Sequence, residues 1–194
     1  MLPTIKLTDN VIKVLIDPCV YIIIDEKIVI DTSQYEYKKE LKETINKFVP
    51  IQDIKFIILT HLHYDHLGNI NLFPNAQFFA SPEITNISKE KLIDYILNKQ
   101  IVSKFNIKLN DITKNNKLKK LFEIYQTPGH CKSCITFYYK KENILFTGDT
   151  YFNKDCFGRT DLPTSEPETM QKSLNIINQL IKKYNPIIAP GHDY

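Results

Sequence analysis

The 194-residue chain has no tryptophan, two methionines, five glycines, four cysteines and a single arginine, Arg159. Each scarcity excludes something. Four cysteines are too few for a disulfide framework in a chain this long, which points to a reducing cytoplasm. No apolar run approaches the roughly 18 residues that cross a bilayer. The start, Met1-Leu-Pro-Thr-Ile-Lys6, lacks a basic segment followed by a long apolar stretch, so neither a membrane partner nor a secretory signal is expected. A net charge of +3 is too small to imply nucleic acid, and the lysines are spread along the chain. Lysine without arginine has the look of a chain-wide codon bias. Against that bias the one surviving arginine is informative, because lysine can serve wherever only charge matters.

The bulk composition, 43% hydrophobic and 24% charged, is ordinary for a globular protein. The length suits one domain over residues 1–194 with a full-sized core. Short runs rich in Ile, Val, Phe and Tyr predict strands at 11–16, 20–24, 28–30, 56–59, 77–80, 121–125, 134–139, 144–147 and 187–189. Helical patterns fall at 36–48, 66–73, 89–102 and 167–184. Thr164 or Ser165 is expected to cap the last helix, and Pro167 suits its first turn. The polar stretch 103–120 reads as an exposed connection or edge hairpin. Alternating strands and helices imply an α/β architecture.

The few glycines and histidines are not scattered. All five of each fall inside five short motifs: Thr60-His-Leu-His-Tyr-Asp-His-Leu-Gly68, Thr127-Pro-Gly-His130, Thr147-Gly-Asp-Thr150, Cys156-Phe-Gly-Arg-Thr-Asp161 and Pro190-Gly-His-Asp-Tyr194. Four of these motifs follow an expected strand, where a rigid sheet can hold ligands at an accessible rim. Imidazole and carboxylate suit zinc, iron or manganese. His61 and His63, two apart, can project to one side of an extended turn, and Asp65 and His66 then enter the next helix. Three further loops supply His130, Asp149 and His192. Seven candidates are too many for one tetrahedral zinc, but they suit two divalent ions about 3.5–4 Å apart that share a carboxylate.

Together these motifs resemble the metallo-β-lactamase fold superfamily, and the resemblance runs from Tyr21-Ile-Ile-Ile-Asp25 and Ile30-Asp-Thr32 to the end of the chain. It implies a four-layer αββα sandwich with the metals at one edge. It also implies that His61, His63 and His130 bind one ion, that Asp65, His66 and His192 bind the other, and that Asp149 bridges them. Ser33 stands where the usual pattern has glycine, which bears on a turn. The expected chemistry is attack by a metal-bridging hydroxide on a carbonyl, with Asp65 and Asp149 as catalytic groups and two divalent ions, zinc first and iron or manganese as alternatives.

Asp149 separates this chain from true β-lactamases of the superfamily, which lack the bridging aspartate. The nucleases of the superfamily carry an RNA-holding arm that is not found here. Residues 148–162, with Gly191-His-Asp-Tyr194, resemble the glyoxalase II branch and equally the persulfide dioxygenases. That resemblance implies a small-molecule thioester as substrate, with Arg159 gripping a carboxylate and Tyr194 in contact. The other reading of Arg159 is a structural pair with loop carbonyls or Asp161. The rival reaction class is a sulfur dioxygenase with one iron on His61, His130 and Asp149. Cys131-Lys-Ser-Cys134 invites a redox reading, although packing accounts for Cys134 at a strand start, and Cys131 is the one expected to be more exposed.

Overall fold

Successive side chains of a strand point to opposite faces, and the central strands are buried on both. The computed structural model describes residues 1–85, 87–152 and 156–193. One sheet contains, in spatial order, β1 (Thr4–Lys6), β2 (Val11–Val14), β3 (Val20–Ile23), β4 (Ile28–Ile30), β5 (Phe56–Ile58), β6 (Gln77–Ala80) and β7 (Leu109–Asp111). Pairing is antiparallel from β1 to β4 and parallel from β4 to β7. The second sheet runs β11 (Ile187–Pro190), β10 (Ile144–Gly148), β9 (Ile135–Tyr139), β8 (Phe122–Gln126). Its only parallel pair, β10 with β11, is connected through α6 (Pro167–Tyr184).

The faces resolve into three apolar layers. Val11, Tyr21, Ile23, Ile28, Ile30 and Ile58 of the first sheet meet Phe122, Phe137, Tyr139, Ile144 and Phe146 of the second. The alternate residues Ile12, Val14, Val20, Ile22, Val29 and Ile57 pack outward against Leu41 and Ile45 of α1 (Lys38–Ile45). On the far side Tyr138 and Leu145 face Ile177 and Leu180 of α6. This is the expected αββα order. Each fully buried aliphatic side chain contributes roughly 1.5–3 kcal/mol, so the site loops rest on three strongly held layers. No helix among the described residues is long and apolar enough to cross a membrane.

Four local expectations differ from the structure. The helix expected over 66–73 is a short α2 (Tyr64–Leu67) followed by a 3-10 turn at 70–72. It ends as the backbone leaves the helical region at Asn69 (φ −108°, ψ 19°), whose side-chain amide donates to the carbonyls of Thr32 and Gln34, and Gly68 is pressed so close to that loop that a Cβ would lie 2.5 Å from the backbone nitrogen of Tyr35. The helix expected over 89–102 is broken at Leu97, which is left-handed (φ +61°), into α3 (Leu92–Ile96) and α4 (Lys99–Lys104). Asn98 caps the second piece through its side-chain oxygen to the amides of Gln100 and Ile101. Neither Thr164 nor Ser165 caps α6: the N-cap is Glu166, which makes no side-chain cap bond, and Ser165 spends its hydroxyl on the carbonyl of His130 at 2.6 Å. Residues 103–120 form no hairpin. They hold the parallel edge strand β7 and most of α5 (Asn116–Leu121).

The loop after β4 explains Ser33. Asp31 and Ser33 both have φ near +55°, a conformation that favours glycine, and the Ser33 hydroxyl is buried with no hydrogen-bond partner. Serine occupies a glycine-like position because the loop is held on both sides, by the Asn69 amide and by Thr32 N–H donating to the carbonyl of His66.

Candidate metal centre

The strand ends converge on one rim. Beyond β5, Thr60 holds the chain by accepting at its carbonyl from Ile135 N–H, and His61, His63 and His66 follow within two turns of backbone. Leu62, between the first two histidines, is fully buried in the outer core and forces its neighbours the other way. His130 follows β8 on a loop pinned from the start of α6: Glu166 N–H donates to Gly129, Ser165 to His130, and Ser173 to Pro128. Asp149 follows β10, and His192 follows β11.

All seven expected side chains come together. The ligand atoms of His61, His63 and His130 lie within 4.8 Å of one another, and so do those of Asp65, His66 and His192. Asp149 forms a third such group with His61 and His66, one from each set. Its Oδ2 lies 3.5 Å from His130 Nε2 and 3.3 Å from His192 Nε2. Six of the seven are buried, and Asp65 is half-buried at the edge of the cleft.

The donor set fits a cation. His66 Nε2 and Asp149 Oδ1 are 3.3 Å apart and buried, and neither makes a hydrogen bond. Buried polar atoms are nearly always satisfied, so two orphans aimed into one cluster of imidazoles and carboxylates are what a metal-binding cavity leaves. Electrostatics agree. Burial and the neighbouring imidazoles hold His61 well below its usual pKa and His63 down to about 3. His130 is lowered as well, chiefly by burial. Burial opposes protonation of His66 too, but Asp149, Asp31 and Asp65 outweigh it and raise that histidine well above its usual value. The centre therefore holds neutral imidazole donors on one side and a cation-seeking acidic pocket on the other.

Residues behind the cluster set the ring orientations. Asp17 Oδ1 meets His192 Nδ1 at 2.5 Å, and Asp31 Oδ2 meets His66 Nδ1 at 2.9 Å. The carbonyl of Arg159 accepts from His130 Nδ1 at 2.7 Å. Each of these partners can only accept in its ionised or carbonyl form, so Nδ1 carries a proton in each ring and Nε2 is the nitrogen that faces the cavity, where a bound cation would take its lone pair. Asp31 also accepts from Thr60 N–H and Thr60 Oγ1, both at 2.8 Å. The sequence reading named Ser165 only as a helix cap and Asp31 only within Ile30-Asp-Thr32, and it gave no role to Asp17. The usable signal was Asp31, an acidic residue closing an apolar strand.

Two glycines are there because nothing larger fits. A Cβ on Gly191 would collide with Asp149 Oδ1, and one on Gly158 would come 2.6 Å from His130 Nδ1. The cleft above the cluster has a volume of about 360 Å³ and is walled by Tyr64, Leu97, Phe152, Phe157, Arg159 and Leu162. That volume suits a small molecule. The Arg159 guanidinium is exposed and makes a fork to Asp161, Nε to Oδ1 at 2.6 Å and Nη2 to Oδ2 at 2.7 Å. Tyr194, the other expected substrate contact, lies outside the described residues. Cys131 is as buried as Cys134, with the two sulfurs 2.8 Å apart, so the expectation that it is the more exposed of the two is corrected: its loop folds inward beneath His130.

The family model described as the metallo-beta-lactamase superfamily matches residues 16–192. A protein named "Probable metallo-hydrolase" from Methanocaldococcus jannaschii is 32% identical over 151 residues, 73% of this chain and 71% of its own length. A hydroxyacylglutathione hydrolase of Prochlorococcus marinus is 30% identical over 200 residues, 99% of this chain and 68% of its own. Among solved structures, the DIM-1 metallo-beta-lactamase superposes with a TM-score of 0.72 at 18% identity, covering 100% of this chain and 90% of that one. That likeness is one of fold.

Proposed function

We propose that this chain, which belongs to the metallo-beta-lactamase superfamily, is a dinuclear hydrolase of small thioesters of the hydroxyacylglutathione type, acting in the cytoplasm. The observation that carries the dinuclear reading is the place of Asp149, whose carboxylate clusters with His61 of one histidine set and His66 of the other. A single-iron dioxygenase needs His61, His130 and Asp149 alone. It gives no reason for Asp65, His66 and His192 to converge, or for a carboxylate to stand behind each of those two histidines.

His61, His63 and His130 would hold one ion, Asp65, His66 and His192 the other, with Asp149 between them. Divalent ions there would supply Lewis acidity and bring a water's pKa toward about 7. Asp65, at the cleft edge, would accept a hydrogen bond from the attacking water. Phe152, Phe157, Leu97 and Leu162 exclude bulk solvent from the carbonyl. A thiolate leaves with little protonation, since thiols titrate near about 8.5. Support for a thioester comes from the hydroxyacylglutathione hydrolases similar to this chain, of which the Prochlorococcus marinus protein is matched over 68% of its length. Arg159 is proposed to exchange Asp161 for a substrate carboxylate. Both partners are exposed, and a solvated surface pair is weak enough to exchange.

The test is a paired assay of S-lactoylglutathione hydrolysis and of oxygen uptake with glutathione persulfide. Hydrolysis without oxygen uptake is expected, and oxygen uptake without hydrolysis overturns the reading.

A further inference from the structure

The segment 190–193 is gripped residue by residue by one β-hairpin. Tyr21 Oη donates to the carbonyl of Pro190 at 2.6 Å, and Cys19 N–H donates to the carbonyl of Gly191 at 2.7 Å. Asp17 Oδ1 accepts from His192 Nδ1, and Lys13 Nζ donates to both carboxylate oxygens of Asp193 at 2.5 Å. All four partners belong to the β2–β3 hairpin, in which Lys13 and Tyr21 are directly opposite. All four are odd-numbered; Cys19 and Tyr21 lie in the layer between the sheets, as does Val11, the residue two before Lys13 on β2.

Lys13 is the telling residue. It sits in a strand whose four residues are all buried, and its own exposure is 8%. A buried ammonium is costly unless paired, and an aliphatic residue would suit that layer better. Asp193 supplies the pairing charge, and the Tyr21 ring lies 6.0 Å from Nζ. The hairpin turn is itself tied down, because Gln34 Nε2 donates to the carbonyl of Asp17 at 3.0 Å.

We propose that Lys13 and Asp17 are positioning residues for the second metal site, with the hairpin setting the place and ring orientation of His192. The Lys13–Asp193 ion pair fixes the backbone on the far side of the histidine, and Asp17 fixes its Nδ1–H. Among the described residues no hydrogen bond or ion pair joins His61, His63 or His130 to this hairpin, so the effect is expected at one ion. This inference rests on reading His192 as a ligand of that ion.

The test uses the full chain, stripped of metal and titrated with cobalt(II) followed by visible absorption, with zinc affinities measured by chelator competition. Lys13→Met keeps the length of an apolar side chain in the layer, and Asp17→Asn alters a side chain that is 63% exposed and outside the core. Lys13→Arg preserves the pair, and His192→Ala is the control for the ligand reading. Wild type and Lys13→Arg are expected to bind two equivalents. Lys13→Met and Asp17→Asn are expected to bind the first unchanged and the second about 10–100-fold more weakly. If His192→Ala loses the second ion while Lys13→Met and Asp17→Asn keep wild-type affinity, the hairpin proposal is wrong and the ligand reading stands. Should His192→Ala still bind both ions tightly, the ligand reading fails and takes the proposal with it.

Discussion

Replacing Asp31 with alanine removes one carboxylate and strips three donors of their acceptor: Thr60 N–H, Thr60 Oγ1 and His66 Nδ1, at 2.8, 2.8 and 2.9 Å. The threonine hydroxyl can rotate to another partner. The Thr60 amide and the imidazole N–H cannot, and both are buried. An orphaned buried donor costs about 1–3 kcal/mol, so the pair costs about 2–6 kcal/mol. Asp31 already holds φ +55°, so alanine adds only the difference in tolerance of that conformation, under about 1 kcal/mol. At about 2–4 °C per kcal/mol for a chain of this size, the metal-free protein should melt at least about 4 °C lower. Asp31→Asn separates the contributions. Asparagine tolerates the left-handed backbone and can still accept from Thr60, but its NH2 would face His66 Nδ1–H, donor against donor. It should therefore lie between wild type and alanine. Circular dichroism melts in EDTA measure the stability, and chelator competition should show zinc at the second site weakened about 10–100-fold. An unchanged melting midpoint in Asp31→Ala would refute the claim that this carboxylate holds the strand end and the His66 ring together.

Gly191→Ala drives a methyl into Asp149 Oδ1. Overpacking of this kind costs about 1–3 kcal/mol, and purified Gly191→Ala should carry less metal per chain than wild type; full content by elemental analysis would contradict the close approach. Arg159→Lys should raise KM for a carboxylate-bearing thioester with kcat little changed, while Asp161→Asn, which frees the guanidinium, should lower KM; steady-state kinetics showing neither shift removes Arg159 from substrate binding. Among the four cysteines, exposed Cys156 should react quickly with a thiol reagent at neutral pH. Cys131 and Cys134 are buried, and Cys19, pushed up to about 12 by burial and the nearby Asp193 despite Lys13, stays protonated. Three thiols should therefore appear only on unfolding, and rapid titration of all four would contradict the packing.

Much of this was legible in the sequence where local pattern and tertiary structure agree. Short continuous apolar runs located the central strands of both sheets, because both of their faces are buried, each against a different layer. The candidate ligand set was legible because histidine is scarce here and each one sits just past a strand. What was not legible depended on contacts distant in sequence. The three-residue β1 and β7 carry no strong pattern and exist through pairing with β2 and β6. The end of α2 at Leu67 depends on a loop more than thirty residues away, through Gly68 and Asn69. Ser165 has the chemistry of a cap, yet the carbonyl of His130, 35 positions away, takes its proton. Asp17 is a single acidic residue without a motif of its own and Asp31 stood in Ile30-Asp-Thr32 without an assigned task, and only the fold brings them behind His192 and His66.

Elemental analysis of metal per chain, on protein purified without added chelator, tests most directly whether two ions share Asp149 as their common carboxylate. Two equivalents are expected in wild type, one in His192→Ala and Asp65→Ala, and fewer than one in Asp149→Ala. A single equivalent in wild type that survives unchanged in His192→Ala and Asp65→Ala would contradict that sharing.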